Sequence, residues 1–419
     1  MEKHVGSVAE LLSAAKDSRI AAIVLTADLG DVPSFDLLPG QILRATVGKR
    51  FTVTFTQGVD GIRLSSDNSV LSIDIRTSPN KRAIWNDYSL PTLGRVILNS
   101  LKTTGRVQIL AKDNVRGGHV EINGLDILAA DSRAEQDRPH EYGVFVLQGA
   151  FTLWNMQPEQ DVVVSANLFN ISAGRFGAPV LGSGIFVGGA GDKGGRLDVQ
   201  HLVTGGVYSD GKLAPGTPDQ ITGGVFVVHG AHVDLVRNDG PVVTYGVNDM
   251  ALDNWGEVER WTVKEKIMTL GPSGIGFVNF GEIGDLTVEA PIETFGPGAR
   301  GFNVYSGTVV CADFDRIVTH ADGAVGVQIS QPIGQLIVRR GIETFGGTGP
   351  SLVKGVVQNL SAIALSIKTG GSAERIRIEG GLKTHGKGIE PLEQRGNVEK
   401  LRITGGFAIC GDGAAKAQH

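Results

Sequence analysis

Two glutamates at equivalent positions of a repeated pentapeptide are the first candidates for catalysis. They lie in Ile292-Glu293-Thr294-Phe295-Gly296 and in Ile342-Glu343-Thr344-Phe345-Gly346, and His320 lies on the copy between them. If the copies stack as parallel strands, the two glutamates are roughly 9 to 10 Å apart. Inverting glycoside hydrolysis uses one protonated and one ionised carboxyl about 6.5 to 9.5 Å apart. We therefore expect Glu293 and Glu343 as the acid and base, with His320 tuning their pKa values or sharing the proton transfer.

A second group of polar residues surrounds a lengthened repeat. It comprises Asp210, Asp219, Tyr245, Asn248, Asp249, Asp253 and Asn254. Such oxygens could bind calcium, but Asn and Asp also favour tight turns. The histidines and cysteines lack the spacing of a zinc site. We therefore predict no metal and no other cofactor.

The elements that position these candidates form an array. The threonines of the repeat are 25 residues apart from Thr244 to Thr344, and a further copy, Leu382–Gly386, follows after 40 residues. Each unit has a strand with the threonine, a strand beginning Gly-Phe or a close variant, and a third strand. A fixed period of this length indicates stacked supersecondary units. The sequence predicts an all-β fold in which isoleucines and threonines face the core and threonine hydroxyls bond along the stack.

Three strands in 25 residues, with glycine-rich corners and no helix between them, resemble the coil of a right-handed parallel β-helix of the pectin lyase-like superfamily. The resemblance covers nearly the whole chain, but it is architectural and assigns no residue a role. It implies an N-terminal cap at 1–40, a β-helix at 41–410 and a flexible tail at 411–419. Enzymes of this architecture that act on sugars often cluster aspartates on one face, which implies that Asp249 and Asp253 could equally be the acid pair.

The remaining columns of the repeat are expected to face outwards. One column contains Phe295, His320, Phe345 and His385, and the neighbouring strand adds an outward polar column followed two residues later by aromatic rings. We expect these strands to line a groove for a sugar. The predicted substrate contacts are Asp210, Tyr245, Trp255, Phe295, Arg300, Asn303, Tyr305, Gln328 and Lys354. The alternative is that the rings pack beneath long turns or against a partner chain.

Composition limits the partners. The formal net charge of -5 offers no basic surface for nucleic acid. The N-terminus leads into an amphipathic helix with Ser7 and Glu10 as a capping box, and no apolar run suits a signal peptide or a membrane span. Two cysteines exclude a disulfide framework. We expect a cytoplasmic protein without membrane partners.

Three functions are compatible with these patterns. The leading hypothesis is a carbohydrate-active enzyme that cleaves or rearranges a glycosidic bond of an oligosaccharide or small glycoside. The second is a lyase or isomerase acting on a small carbohydrate or other cyclic metabolite, for which Arg300, Lys354 and Lys383 could stabilise an enolate. The third is a non-catalytic β-helix that binds a partner or assembles as a dimer or trimer.

Overall fold

The structure is a computed structural model that describes residues 1–139 and 143–411. It is nearly all β, with two large sheets of 26 and 15 strands whose neighbours are almost all parallel. Each strand pairs with the equivalent strand of the next unit, which confirms stacked repeats and is consistent with a parallel β-helix. The predicted tail at 411–419 lies outside the described residues except for Gly411.

Three stacks of strands run along the molecule. The first stack, which belongs to the smaller sheet, consists of Phe35–Asp36, Ile62–Leu64, Arg82–Asn86, Arg106–Ala111, Gly149–Asn155, Ser183–Gly188, Gln220–Val227, Asp249–Asn254, Ile275–Asn279, Arg300–Val304, Val325–Ile329, Leu365–Ile367 and Leu392–Gln394. The short strands Gln136–Asp137 and Phe145–Leu147 join this sheet beside Gln220–Val227.

The larger sheet contains the other two stacks, which four long strands bridge. Those bridging strands are Arg95–Thr104, Gly117–Ala129, Val163–Ala173 and Arg196–Asp210. The second stack otherwise contains Glu2–Val5, Ala22–Leu25, Ile42–Ala45, Ser69–Leu71, Ala231–Asn238, Glu257–Val263, Glu282–Val288, Thr308–Phe314, Pro332–Val338, Ser372–Ile378 and Asn397–Ile403. The third contains Leu29–Val32, Phe51–Phe55, Ile73–Arg76, Val180–Leu181, Val242–Thr244, Ile267–Thr269, Ile292–Thr294, Ile317–Thr319, Ile342–Thr344, Leu382–Thr384 and Phe407–Ile409.

The register of the third stack follows the repeat. Thr244 pairs with Thr269, and the same column continues through Thr294, Thr319, Thr344 and Thr384. These threonines are fully buried, as are the isoleucines two residues before them. The alternation of a strand therefore places both columns in the core, as predicted.

The threonine hydroxyls do not bond along the stack, contrary to expectation. Thr319 and Thr384 donate to carbonyls five residues later in their own coils, at 2.8 and 2.7 Å. Those of Thr244, Thr269 and Thr294 make no hydrogen bond within the described part of the chain. The strand spacing is already fixed by backbone hydrogen bonds, so each hydroxyl turns to a carbonyl of the nearest corner where one is within reach.

The glycine two residues after the threonine, at the end of the pentapeptide, lies at a tight corner. A Cβ placed on Gly271 would lie 1.8 Å from the carbonyl oxygen of Gly246 on the preceding coil, and one on Gly296 would lie 1.9 Å from that of Gly271. The close approach of successive backbones at this corner therefore explains why glycine recurs in the pentapeptide.

The N-terminal helix covers the first coils. It spans Val8–Ala15, with Ser7 as N-cap accepting a hydrogen bond from the backbone of Glu10, and it buries Leu11, Ala14 and Ala15. The Gln41 amide donates to the carbonyls of Ala14 and Ile20, at 3.2 and 3.1 Å, and so satisfies groups just beyond the helix end. Parallel pairing already begins with Glu2–Val5 against Ala22–Leu25, inside the segment 1–40 that the sequence assigns to the cap.

Three insertions lie over the outward face of the first stack. They are residues 131–139 with 143–147, segment 211–219 and the antiparallel hairpin of Thr348–Val353 and Val356–Ser361. The hairpin turns through Lys354 and Gly355, both with positive φ. The backbone of Phe145 donates to the Asp219 carbonyl at 2.7 Å, and a Cβ on Gly355 would lie 2.9 Å from the Pro218 carbonyl oxygen. The insertions touch one another, and we name them together the cover.

Candidate functional site

Four aromatic side chains at the corner after the third stack form a continuous pile, which we name the exposed ladder. Phe295, His320, Phe345 and His385 follow one another with ring centroids 4.5, 5.4 and 4.2 Å apart and ring planes within 7°, 7° and 14° of parallel. Because the rings stack face to face, each face inside the pile is occupied by the next ring. The ladder presents ring edges to solvent, which leaves only its two end faces for stacking against a sugar.

Glu343 lies beside this ladder in an ion-pair network. Its carboxylate pairs with the Arg316 guanidinium, and its Oε1 lies 2.9 Å from Nε2 of His385. Partial burial acts to raise its pKa, but the hydrogen bonds from His385 and Arg316 outweigh burial and lower the pKa. Glu343 is therefore held ionised, so it is suited to the role of a base and not to that of a general acid.

Glu293 shares the column of Glu343 two coils earlier, with Val318 between them. Val318 is 5% exposed, and Glu293 is half-buried without an ion pair among the described residues. The structure thus keeps the predicted spacing of two coils. It gives the two carboxylates very different surroundings.

A cavity of about 560 Å³ separates the first stack from the cover. Trp255, Phe280 and Tyr305 line it from the stack, and Val144, Pro218 and Lys354 line it from the cover. Its size falls within the range of small-molecule sites, about 300 to 1,000 Å³. None of its lining residues belongs to the exposed ladder. The two outward strands that the sequence predicts as one groove therefore contribute to different surfaces.

The aromatic side chains at this cavity belong to a second series, which we name the covered ladder: Trp154, Phe186, Phe226, Trp255, Phe280 and Tyr305. Phe226 meets Trp255 at 81° and Trp255 meets Phe280 at 68°, with centroids 5.0 and 5.8 Å apart. Phe280 and Tyr305 stack instead, with centroids 5.2 Å apart and ring planes 26° from parallel. Trp255 and Phe280 also line a second cavity of about 470 Å³ on their other side.

Polar side chains are buried beneath the cover on the same strands. Asp253, Asn303 and Gln328 lie in one outward column, with Val278 between the first two. Asp253 and Asn303 are fully buried, and their side-chain oxygens and nitrogen make no hydrogen bond of normal geometry within residues 1–139 and 143–411. Buried polar groups without partners are rare and costly in proteins, so this column indicates a functional site.

Burial favours the neutral form of the Asp253 carboxyl. Burial raises the pKa of its carboxyl well above the ordinary value, and the nearby Trp255 side chain offsets only part of that effect. A protonated carboxyl can donate a proton or a hydrogen bond, which an ionised carboxylate cannot do.

Arg300 lies three residues before Asn303 on the same strand and is also fully buried. Its Nη2 donates to Ser351 Oγ at 2.9 Å, and Ser351 Oγ donates in turn to the Gly298 carbonyl at 2.7 Å. The backbone of Leu352 donates to Ser273 Oγ at 3.0 Å. These bonds hold the first strand of the hairpin against the first stack, next to the cavity.

Asp249 and Asp210 lie at the base of the cover and have structural contacts. The Asp249 carboxylate accepts hydrogen bonds from Thr222 and from the backbones of Gly246 and Gly211, the latter two at 2.7 and 3.2 Å. Burial, partly offset by these bonds, raises its pKa to about 7. Asp210 pairs with Lys212 at 2.7 Å. The two residues fix the start of segment 211–219.

The predicted pair Asp249 and Asp253 does not have the spacing of a glycosidase pair. The two residues lie four positions apart on one strand, which implies roughly 13 Å. Tyr245 is also engaged locally, since its hydroxyl accepts a hydrogen bond from the backbone of Gly177 at 2.9 Å.

The predicted site residues therefore fall into three places. The exposed ladder contains or adjoins Glu293, Glu343, His320 and Phe295. At or near the base of the cover lie Asp210, Tyr245 and Asp249. At or beneath the cavity lie Trp255, Tyr305, Lys354, Asp253, Asn303, Gln328 and Arg300. The sequence did not predict the roles of Val144, Pro218 and Ser351. All three lie in insertions, and the break in the 25-residue period was the available signal.

The described residues contain neither a cluster suited to a metal ion nor a helix suited to crossing a membrane. Within residues 1–139 and 143–411, no three His, Cys, Asp or Glu side chains come together in a way that could hold a metal ion. No helix in the same ranges has the length and apolar character needed to cross a membrane.

No family model, no curated protein and no solved structure matches the chain.

Proposed function

We propose that the protein is a carbohydrate-active enzyme that takes a small saccharide, or another polar cyclic metabolite, into the cavity beneath the cover. The observation that supports this proposal is the cavity of about 560 Å³ lined by Trp255, Phe280 and Tyr305. Insertions that a plain coil does not need enclose it, and its wall of apolar and aromatic side chains with a few polar groups is typical of small-molecule sites. The enclosed volume suits a mono- or disaccharide better than a polymer.

Asp253 is the proton donor in this proposal. It lies two residues before Trp255 on the outward side of the strand, and its burial raises the pKa and so favours the neutral form. A neutral carboxyl beside a leaving glycosidic oxygen acts as a general acid, as hydrolysis and elimination both require. Asp253 is fully buried and is not among the residues that line the cavity, so surrounding side chains must move before a substrate reaches it.

The finer fold assignment belongs to the same proposal. We infer a right-handed β-helix of the pectin lyase-like type, because connections between parallel strands of one sheet are right-handed in about 98% of cases. The parallel pairing of equivalent strands along each stack supports this inference.

Blocking the cavity tests the proposal. Val144 is a half-buried cover residue at the cavity, and Val144→Trp would fill part of the space, whereas Val47→Trp adds the same ring at a surface position that is 86% exposed. Calorimetric titration with a panel of mono- and disaccharides should give binding to the wild type and to Val47→Trp, with at least tenfold weaker binding to Val144→Trp, a loss of about 1.4 kcal/mol.

Equal binding by all three proteins would exclude the cavity as the saccharide site. Product analysis of a bound saccharide separates the reactions: hydrolysis releases a reducing sugar, elimination creates an unsaturated product that absorbs in the ultraviolet, and isomerisation conserves mass. Asp253→Asn should retain binding and lose turnover in each case.

A non-catalytic role in assembly is the second candidate, and the exposed ladder is the observation that favours it. Phe295 is 37% exposed and Phe345 is 42% exposed, on a face that forms no part of the cavity. Side-by-side packing of two or three copies would cover these ring edges. Light scattering of the wild type and of Phe345→Lys tests this role, because an assembly through the ladder would dissociate in the variant.

A further inference from the structure

Arg300 is a buried cation that lacks an acidic partner. Its side chain is fully buried, and none of the carboxylates in residues 1–139 and 143–411 lies within ion-pair distance of it. Its Nε makes no hydrogen bond in the same ranges, and its Nη2 is bonded to the neutral Ser351 hydroxyl. A buried charge without a counter-charge is costly, and proteins retain one mainly where it serves a site.

A second cation lies at the same aromatic ring. The Arg300 Cζ lies 6.0 Å from the centroid of the Tyr305 ring, and the Lys354 Nζ lies 5.5 Å from that centroid. Lys354 is at the tip of the hairpin, lines the cavity and forms no ion pair with the described residues. Two positive charges from different elements therefore converge at the end of the cavity formed by Tyr305.

The other described residues that line the cavity do not cancel this charge. The remaining polar groups at the wall, Asn248, Ser306 and Gln331, are neutral, and Asp219 is an exposed carboxylate of the cover that pairs with neither cation. The buried Asp253 carboxyl adds no negative charge while it is protonated. The potential at the Tyr305 end is consequently positive, and low local polarity strengthens it.

We propose that the cavity selects a ring-shaped ligand that carries an anionic group, a carboxylate or a phosphate, and binds that group at the Tyr305 end between Lys354 and Arg300. The inference rests on the proposed function and specifies its substrate class. Lys354 would contact the anion directly. Arg300 would attract the anion electrostatically from behind the cavity wall. Its hydrogen bond to Ser351 would link anion binding to the position of the hairpin against the first stack.

Matched sugars that differ in charge test this selection. Glucose, glucuronate and glucose 6-phosphate would be titrated into the wild type, Lys354→Gln and Arg300→Gln, with Lys383→Gln, an exposed lysine beside the other ladder, as the control. At least one anionic sugar should bind the wild type and Lys383→Gln about tenfold more tightly than glucose, because its anionic group makes a charge-assisted contact that glucose cannot make. Lys354→Gln should lose that preference, and added salt should weaken it.

The outcomes separate the two proposals. If glucose and both anionic sugars bind the wild type equally and none binds Val144→Trp, the anion inference is overturned. The cavity would then still be the saccharide site. Failure of all three sugars to bind would overturn both for this ligand class. A preference for one anion distinguishes carboxylate from phosphate. Because Lys354 is exposed at a turn, its variant keeps the test valid even if Arg300→Gln fails to fold.

Discussion

The two aromatic ladders run along the same stacked parallel strands, and they differ in the segments that surround them. In the exposed ladder the rings lie face to face, within 14° of parallel, at a corner of regular coils. In the covered ladder most contacts are edge to face, and insertions of three coils close over the rings. A regular repeat therefore produces a self-contained pile, whereas a broken repeat produces an enclosed space.

The carboxylates of the two regions differ in the same way. Glu343 at the exposed ladder pairs with Arg316 and His385, and its pKa is lowered. Asp249 and Asp253 beneath or beside the cover are fully buried, and burial raises the pKa of both. The surroundings of Glu343 thus stabilise its charged form, whereas burial disfavours the charged forms of Asp249 and Asp253, and this contrast supports the proposal of acid chemistry under the cover.

Removal of a ring should have the largest effect on stability in the covered ladder. Trp255 is 1% exposed, so Trp255→Ala should destabilise the protein by about 3 to 5 kcal/mol through lost burial and a new void. Phe345→Ala removes a ring that is 42% exposed and should cost less than about 1.5 kcal/mol. Urea unfolding of both variants measures the difference, and equal losses would contradict the distinction between the ladders.

The pH dependence of stability should reveal Asp249. Its pKa is about 7 when folded against an ordinary value of 3.8, so protonation favours the folded state and stability falls as the pH rises from about 4 to 7. The shift corresponds to a change on the order of 4 kcal/mol. Asp249→Asn mimics the neutral acid and should flatten this decline in urea midpoints measured at pH 5 and pH 8.

The control for Asp249 is Asp285→Asn, which makes the same charge change on an exposed strand position. It should keep the decline of the wild type. A decline that persists unchanged in Asp249→Asn would show that this carboxyl ionises normally in the fold.

Glu343 should show a smaller effect of opposite sign. Its folded pKa is lowered, so its stabilisation is present above the ordinary value of 4.5 and is lost as the pH falls through the folded pKa. Glu343→Gln should cost about 0.5 to 1 kcal/mol at pH 7, because the pair is partly exposed to solvent, and little at pH 3. Glu293→Gln, in the same column without an ion pair, should change stability less at both pH values.

The same two variants also examine the predicted acid and base. If Glu293 and Glu343 are catalytic, each substitution abolishes turnover of any saccharide that the protein converts. If the cavity is the site, turnover survives in both variants and is lost in Asp253→Asn.

Much of the fold was predictable because stacking repeats one local environment. The threonine and isoleucine columns needed only strand alternation and the 25-residue period, and the helix start needed only Ser7 and Glu10. The direction of the threonine hydroxyls was not predictable in this way. It depends on which corner carbonyl lies nearest, and the insertion after Thr344 changes that carbonyl to Ala362.

The candidate site was only partly predictable. The column of Asp253, Asn303 and Gln328, and the rings two residues beyond it, followed from register alone. Their enclosure did not, because Pro218 and Lys354 are separated by more than a hundred residues in sequence and meet only where two insertions touch. The convergence of Arg300 and Lys354 at Tyr305 likewise needs the hairpin in place.

The sequence by itself determined the stack, its register and the residues that face outwards, since each follows from local periodicity along the chain. Tertiary structure alone decided which outward columns are open and which are covered, because insertions pack across coils through contacts that have no period. Whether a column is open or covered sets the polarity around each carboxylate. A carboxyl group is consequently ion-paired and partly exposed in Glu343, whereas in Asp253 it is buried in surroundings that raise its pKa.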